Sequence, residues 1–567
     1  MADRDSVAAG APVRGTDSEK PARKYRILHV LAVSLPYLNG YTVRSKYIVE
    51  TQRREGFDPV VATSPFYPGV EAAIKDAVIS GVSYRRIPHP VDVTRGLAFS
   101  EKLCRFLHKL RGGSGVRLRV RPPGNLVMRF LRASWHGANR LLDRRAALAR
   151  EGGPGAWKYV KMAPLIVLYP FLIGIQWMGK VVRAVRFNAL SYASIHIVFR
   201  IIFLPIRAVV LLIRLALDAL KRLADVAEES LLLRRFEREL VRISAEVKPD
   251  IIHAHSPYRC GAPALKAARR LGIPMVYEVR GLWEESSVAT GRFDASSGRY
   301  RSWKRSEAKI MRQADAVVAI CEQLRQEVIA RGAAPERVFV VPNAADTSVF
   351  HRDGPVTAAA VPASVADVRA RLRPHTVGYV GSIRKLEGVD ELVKAVAVMT
   401  RRGHDVSLLV VGDGPDLPGL KTLAEQEGLG ERAVFTGRVS HDLVTYFYDL
   451  MDVFVISRPR LRVTEMVTPL KPLEAMAMGK ALVISDLPSL REIVKEHETG
   501  LVYSPGKPED LADKCVTLLE DRALRERLGQ AAQKWVEQER TWSAVLKGLG
   551  PAYEAARRNS PKAGVSR

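Results

Sequence analysis

Residues 468–486, TPLKPLEAMAMGKALVISD, read as a rigid loop, a short small-residue helix, a turn and a buried strand. Pro469 and Pro472 fix the backbone ahead of Glu474, Lys471 supplies a cation, and the helix through Met478 stops at Gly479. Amides at a helix N-terminus favour phosphate oxygens. A carboxylate one turn in repels them unless its task is to accept hydrogen bonds from neutral hydroxyls. Phosphate beside a vicinal diol is the chemistry of a nucleotide, which makes Leu470, Lys471 and Glu474 candidate binding residues. A glutamate that only caps its own helix is the competing reading.

Outward from this stretch the pattern repeats. Thr376 to Val380, Val406 to Val411, Ala433 to Thr436, Val453 to Ser457 and Ala481 to Ser485 are apolar runs separated by amphipathic stretches. Such alternation predicts a doubly wound domain whose strand ends face a cleft. An earlier series does the same: Tyr25 to Val33, Pro59 to Thr63, Ser83 to Ile87, Asp250 to Ala254, Pro274 to Glu278 and Val338 to Pro342. The expected organisation is a flexible tail over 1–24, a first domain over 25–345 and a second over 346–567. A last helical region is expected at about 531–556.

The segment resembles the nucleotide-sugar signature of retaining glycosyltransferase family 4, over about residues 26–90 and 248–545. It is most similar to the bacterial exopolysaccharide and exosortase-associated enzymes, through VTPLKPLEAMA and the preceding SRPRLRVTE (Ser457 to Glu465). The resemblance implies a GT-B fold, two Rossmann-like domains facing a cleft, with the terminal helix at about 531–556 packing back on the first domain. It also implies sugar transfer from a nucleoside diphosphate donor, UDP- or GDP-linked, with retention and with no metal. Glu474 is then the ligand of the ribose hydroxyls, and Gly40, Gly381, Ser382, Arg384, Lys385, Arg462, Leu470 and Lys471 line the donor site. His255, ending DIIHAH, matches the family histidine that touches sugar or acceptor, whereas His253 is read as core packing. Arg280, in YEVRGLWEE beside Glu278, is an acceptor ligand or one half of a surface ion pair. Three departures stand out. Met466 occupies the place of the family's first glutamate, with Glu465 one position out of register. Ser382 and Glu387 stand where an arginine and a lysine usually hold phosphate, which leaves Lys471 and Arg462 to supply the charge.

The chain has 567 residues and a formal charge of +28, and 23 basic residues against five acids between Glu101 and Asp225 supply +18 of it. The excess belongs to an insert at about 100–235 in the first domain. Residues 162–179 carry no charge, and Arg186, Arg200, Arg207, Arg214 and Lys221 follow at multiples of seven, one basic stripe on a helix with apolar residues around it. This long, basic, apolar helical insert is expected to lie in the surface of an anionic membrane, with Pro205 kinking it. A two-pass hairpin would put arginines into hydrocarbon. The acceptor expected from this placement is a polyprenyl-linked or glycan molecule at the cytoplasmic face of the inner membrane. Nucleic acid is disfavoured, since the basic segment is apolar rather than interleaved with stacking aromatics. A non-catalytic membrane- or polysaccharide-binding protein on a degenerate scaffold is the alternative that the departures suggest. Cys104, Cys260, Cys321 and Cys515 show no metal-site or disulfide spacing.

Overall fold

The computed structural model describes residues 24–35, 37, 40–66, 76–90, 103, 192–351 and 361–560; the expected tail, Pro36, Asn39, Cys104, Arg186 and the uncharged run 162–179 lie outside them. The chain divides into one unit of residues 1–105 and 229–567 and a second of residues 106–228.

The first unit holds two parallel sheets. The first is built from β1 (Arg26–Leu31), β2 (Asp58–Thr63), β3 (Ala77–Ile79), β4 (Val82–Arg86), β5 (Ile251–His255), β6 (Met275–Val279), β7 (Ala316–Ala319) and β8 (Val338–Val340). Their order is β3-β4-β2-β1-β5-β6-β7-β8, with only β3 antiparallel to its neighbour. The second comprises β9 (His375–Val380), β10 (Val406–Val411), β11 (Ala433–Gly437), β12 (Val453–Ile456), β13 (Ala481–Ser485) and β14 (Leu501–Tyr503), in the order β11-β10-β9-β12-β13-β14. Strands such as IIHAH and VFVI are buried along their whole length, because helices cover both faces of each sheet.

Strand order reverses direction between β1 and β5 in one sheet and between β9 and β12 in the other. Crossovers on either side of such a point run away from each other and leave a crevice at the carboxyl ends of the strands. The residues that follow β1, β5, β9 and β12 therefore define the site.

Three strands went unread: Ala77–Ile79, Ala316–Ala319 and Leu501–Tyr503 have three or four residues each, too few to establish a period. The expected terminal helix is instead three, Arg522–Glu539, Trp542–Leu546 and Leu549–Asn559. Thr541 breaks the run by capping the second helix through Oγ1, which accepts from Ala544 N at 3.3 Å. The return onto the first sheet is made by the last two helices, which bury Trp542, Leu549 and Tyr553 in the same core as Ile27, Val276 and Val318.

The insert ends in a helix of 56 residues, Tyr192–Val247, which continues through Pro205 and, at about 1.5 Å per residue, runs for roughly 84 Å. Phe236, Leu240 and Ile243, near its end, belong to the first domain's core. Farther back Leu211, Leu212, Leu215, Leu220, Leu223 and Val226 are exposed. Arg200, Arg207, Arg214 and Lys221 lie on this helix, and their side chains are outside the described residues. Among the described residues no helix is long and apolar enough to cross a membrane.

Candidate active site

The donor loop folds as its sequence suggests. Thr468 to Leu470 lead into the helix Lys471–Ala477, and Gly479 ends it with φ +66°. Glu474 is nearly buried, and the Tyr448 hydroxyl donates to its Oε2 at 3.1 Å. Burial, reinforced by the Glu474 carboxylate, pushes the Tyr448 phenol well above its usual range, so it stays a donor. Lys471 Nζ lies 3.8 Å from the same oxygen, on the half-exposed side.

Gly381 follows β9 with φ +157°, and a Cβ there would meet Tyr379 Oη at 2.6 Å and the Lys471 stem at 3.1 Å. Gly412 follows β10 with φ +136°, and its Cβ would strike the Gly381 carbonyl at 1.9 Å. Glycine is required at both places, and Lys471 lies over the first. From the other domain Gly40, opening the helix Gly40–Arg54, stands opposite Leu470, whose Cδ1 would be 3.8 Å from a Cβ. The structure thus brings Gly40, Gly381, Leu470, Lys471 and Glu474 together. Ser382, Arg384 and Lys385 are exposed on the turn beyond Gly381, and the Lys385 amide donates to Asp416 Oδ2 at 2.9 Å.

Arg462 does not join them. Its Nε is 3.2 Å from Glu285 Oε1 and its NH2 is 2.8 Å from Glu327 Oε2, both acids of the first domain. It is a latch across the cleft, because two carboxylates outbid a phosphate that one exposed side chain would have to reach for. Glu492 makes a second latch, its carboxylate accepting from the Glu322 and Gln323 amides at 2.8 and 2.9 Å and so capping the helix Glu322–Ala330.

His255 and Arg280 also sit otherwise than expected. Both are buried, and they belong to a continuous ring of side chains. Arg280 NH2 is 2.7 Å from His255 Nδ1, and since a guanidinium only donates, that nitrogen accepts and the proton is on Nε2. His255 Nε2 then donates to His29 Nδ1 at 3.0 Å, His29 Nε2 to Gln52 Oε1 at 2.8 Å, and Gln52 Nε2 to the Tyr553 hydroxyl at 2.6 Å. Tyr553 donates to His253 Nδ1 at 2.9 Å, and His253 Nε2 faces Glu278 Oε2 at 3.2 Å, out of line for a full hydrogen bond. Arg280 Nε closes the ring on Glu278 Oε1 at 2.7 Å.

All three imidazoles carry their proton on Nε2. Burial depresses each of them, His29 to about 3, with His253 as the second cause for His29 and Arg280 for His255. At Glu278 burial works to raise the carboxyl, but Arg44 and Arg280 outweigh it and hold it well below the usual range. The three histidines approach closely enough to gather around one metal ion. Their acceptor nitrogens, however, already receive protons from Arg280, His255 and Tyr553. Arg280 further donates to the Tyr41 carbonyl at 2.9 Å and to Ser45 Oγ at 2.7 Å. Its partner Glu278 is fully buried, so the pair is neither a surface ion pair nor an exposed acceptor ligand. Arg280 thus ties the first turns of the helix Gly40–Arg54 to the end of β6, and His255 reaches those turns through Arg280.

Arg44, Asn343, Tyr448, Arg458 and Tyr553 escaped sequence reasoning. Arg44 is 2% exposed and pairs with Glu278 at 2.9 Å, and nothing in VRSKYIVE separates it from a surface helix arginine. Arg458 had a signal: the acid Glu387, where a phosphate-binding lysine is usual, calls for a cation elsewhere. The Arg458 guanidinium meets it with two 3.0 Å hydrogen bonds.

Two facing Rossmann-like domains with a glycine-lined, lysine- and glutamate-bearing crevice define a glycosyltransferase of the GT-B type. Family models agree, with Glycosyl transferases group 1 matching residues 363–535 and Glycosyltransferase Family 4 matching residues 219–349. The alpha-D-kanosaminyltransferase of Streptomyces kanamyceticus is 30% identical over 305 residues, 53% of this chain and 73% of that protein. The D-inositol 3-phosphate glycosyltransferase of Nocardia farcinica is 29% identical over 57% of this chain and 70% of its own length. Sucrose-phosphate synthase from Thermosynechococcus elongatus shares the fold at a TM-score of 0.56 and 16% identity, over 95% of this chain and all of that one. The chain belongs to the family 4, group 1 glycosyltransferases. It is a transferase.

Proposed function

We propose that the enzyme moves a sugar from a UDP- or GDP-linked donor, with retention and without a metal, to a lipid-linked or glycan acceptor at a membrane surface. The process served is cell-surface polysaccharide synthesis, at the cytoplasmic face. The observation that carries this reading is Glu474, fixed through one oxygen by Tyr448 and set beside Lys471 over Gly381. The carboxylate suits a ribose diol, and the ammonium above a bare glycine backbone suits a diphosphate.

In the reaction the bond from the anomeric carbon to the β-phosphate oxygen breaks, and its electron pair goes to the leaving diphosphate. The acceptor oxygen bonds the same face of the sugar and gives its proton to that diphosphate. Lys471 stabilises the charge that develops there.

Membrane association rests on the exposed apolar arc of the long helix. Leu212, Leu215, Leu223 and Val226 are spaced by three, eight and three residues and share one face, next to the arc on which Arg200, Arg207, Arg214 and Lys221 recur.

The test is transfer by purified protein from a panel of UDP- and GDP-sugars, with and without EDTA. Glu474→Ala and Lys471→Ala should each lower donor turnover at least tenfold, about 1.4 kcal/mol of transition-state stabilisation. Full activity in both would overturn the assignment.

A further inference from the structure

Backbone chemistry poses a problem at the entry to the donor loop. Pro469 and Pro472 have no N–H, so the loop cannot be tied down by its own amides at those positions. The carbonyls of Met466, which ends the short helix Arg462–Met466, and of Val467 and Thr468, in irregular backbone, precede it, all outside any sheet ladder. Buried carbonyls need donors, and here side chains supply one for each. Cys321 Sγ donates to Met466 O at 3.0 Å, Arg458 NH1 to Val467 O at 3.1 Å, and Asn343 Nδ2 to Thr468 O at 2.9 Å.

Two of these donors are themselves locked. Arg458 is gripped by both oxygens of Glu387, its side chain 9% exposed. Asn343 Oδ1 accepts from Arg44 NH1 at 3.1 Å, and because a guanidinium only donates while a carbonyl only accepts, the amide has a single orientation. Arg44 also holds the Val341 and Pro342 carbonyls at 2.9 and 2.8 Å and ends on Glu278. A line of fixed polarity therefore runs from the first domain's core, through the segment that links the domains, to the donor loop.

We infer that Arg458 and Asn343 are positioning residues for the nucleoside diphosphate, acting through consecutive carbonyls on the loop that presents Lys471 and Glu474; the inference rests on the donor reading above. Glu387 belongs to the same brace, since both its oxygens hold the Arg458 guanidinium in place. Asn343 and Cys321 come from outside the second domain's sheet, so the donor loop acquires its geometry only when the domains are together.

The test is calorimetric titration of the full chain with UDP and with GDP, alongside thermal unfolding of the unliganded protein. Variants are Arg458→Lys, Glu387→Gln and Asn343→Asp, with Lys471→Ala and Glu474→Ala as reporters of the site itself. Asn343→Asp keeps an oxygen for Arg44 but sets another against the Thr468 carbonyl. Arg458→Lys keeps the charge but loses the fork. The expected result is affinity lowered about tenfold or more in Arg458→Lys and Asn343→Asp, and less in Glu387→Gln, in protein that remains folded at the titration temperature. A merely structural brace would lower the melting temperature and leave the affinity of the folded protein unchanged. Wild-type affinity in all three braces, with binding lost in Lys471→Ala and Glu474→Ala, would overturn this inference and leave the donor reading standing. Wild-type affinity in Lys471→Ala and Glu474→Ala, or no binding of UDP or GDP to the wild type, would overturn the donor reading and this inference with it.

Discussion

Tyr553 and His253 are 300 positions apart and share a 2.9 Å hydrogen bond that fixes the tautomer of a histidine on β5 from the helix Leu549–Asn559. The same hydroxyl accepts from Gln52. Tyr553→Phe leaves one buried acceptor and one buried donor unpaired, at a cost of about 1–3 kcal/mol. Amide exchange in the helix Leu549–Asn559 should accelerate by roughly 5- to 150-fold, the same cost read as an opening equilibrium. Unchanged exchange in Tyr553→Phe would show that the helix is held by its apolar face alone.

The neutral ring makes stability depend on pH. Imidazoles free in the unfolded chain titrate near 6.5, whereas His29 is depressed to about 3 and His253 and His255 are also lowered. Below about pH 6.5 the unfolded state binds more protons, so the ring's contribution is full above that value and is lost as pH falls. Each imidazole costs about 1.4 kcal/mol per pH unit in this range. Glu307 has the opposite sign. Burial, then Glu284, pushes it up to about 7, so it gains stability as pH falls toward its unfolded value near 4.5. Burial also raises the Glu391 carboxyl, yet three lowered imidazoles against these two acids predict a melting temperature that falls from pH 6 to pH 5. His29→Asn should flatten the slope by about one proton, and a flat profile in the wild type would contradict neutral imidazoles.

The latch at Arg462 is tested by its salt response. Its side chain is 47% exposed, so its pairs with Glu285 and Glu327 contribute only about 0–1 kcal/mol, equivalent to at most about a fivefold shift in domain closure. Arg462→Gln should enlarge the radius of gyration in small-angle scattering at low salt, and high salt should enlarge the wild type toward the same value. Donor affinity should fall far less than in Lys471→Ala. Equal losses in the two would return Arg462 to the phosphate site.

The conformation of the donor loop was legible because its chemistry is local. Proline, lysine, glutamate and glycine within residues 468–479 specify their own loop and helix, and Gly40 and Gly381 mark strand-to-loop turns that any doubly wound sheet needs. What failed depended on distant partners. Arg462 reads as a free cation until Glu285 and Glu327, more than a hundred positions away, come within reach. His255 reads as a cleft residue by its place at a strand end. Burial of β1 beside β5 instead sets His29 against it, and Arg280 takes its other nitrogen. A periodicity argument reports which face a residue occupies, not which donor will already have claimed its lone pair.

The long helix gives the last prediction. Exposed leucines there offer apolar area, and the recurring basic residues beside them offer attraction to anionic lipid of about 1 kcal/mol each. The two contributions respond to different perturbations. Arg200→Gln, Arg207→Gln and Arg214→Gln together should weaken binding to vesicles containing phosphatidylglycerol by up to about 3 kcal/mol, and should barely alter binding to neutral vesicles. Leu212→Ser, Leu215→Ser and Leu223→Ser together should weaken both, since each removes apolar burial worth about 1.5–3 kcal/mol. Salt screens exposed charge and leaves buried apolar area untouched, so wild-type protein should be released only in part by 1 M salt, where the screening length is about 3 Å. Complete release by salt, with the leucine variants binding as the wild type does, would show that the helix carries only a basic surface and that its apolar arc meets something other than lipid.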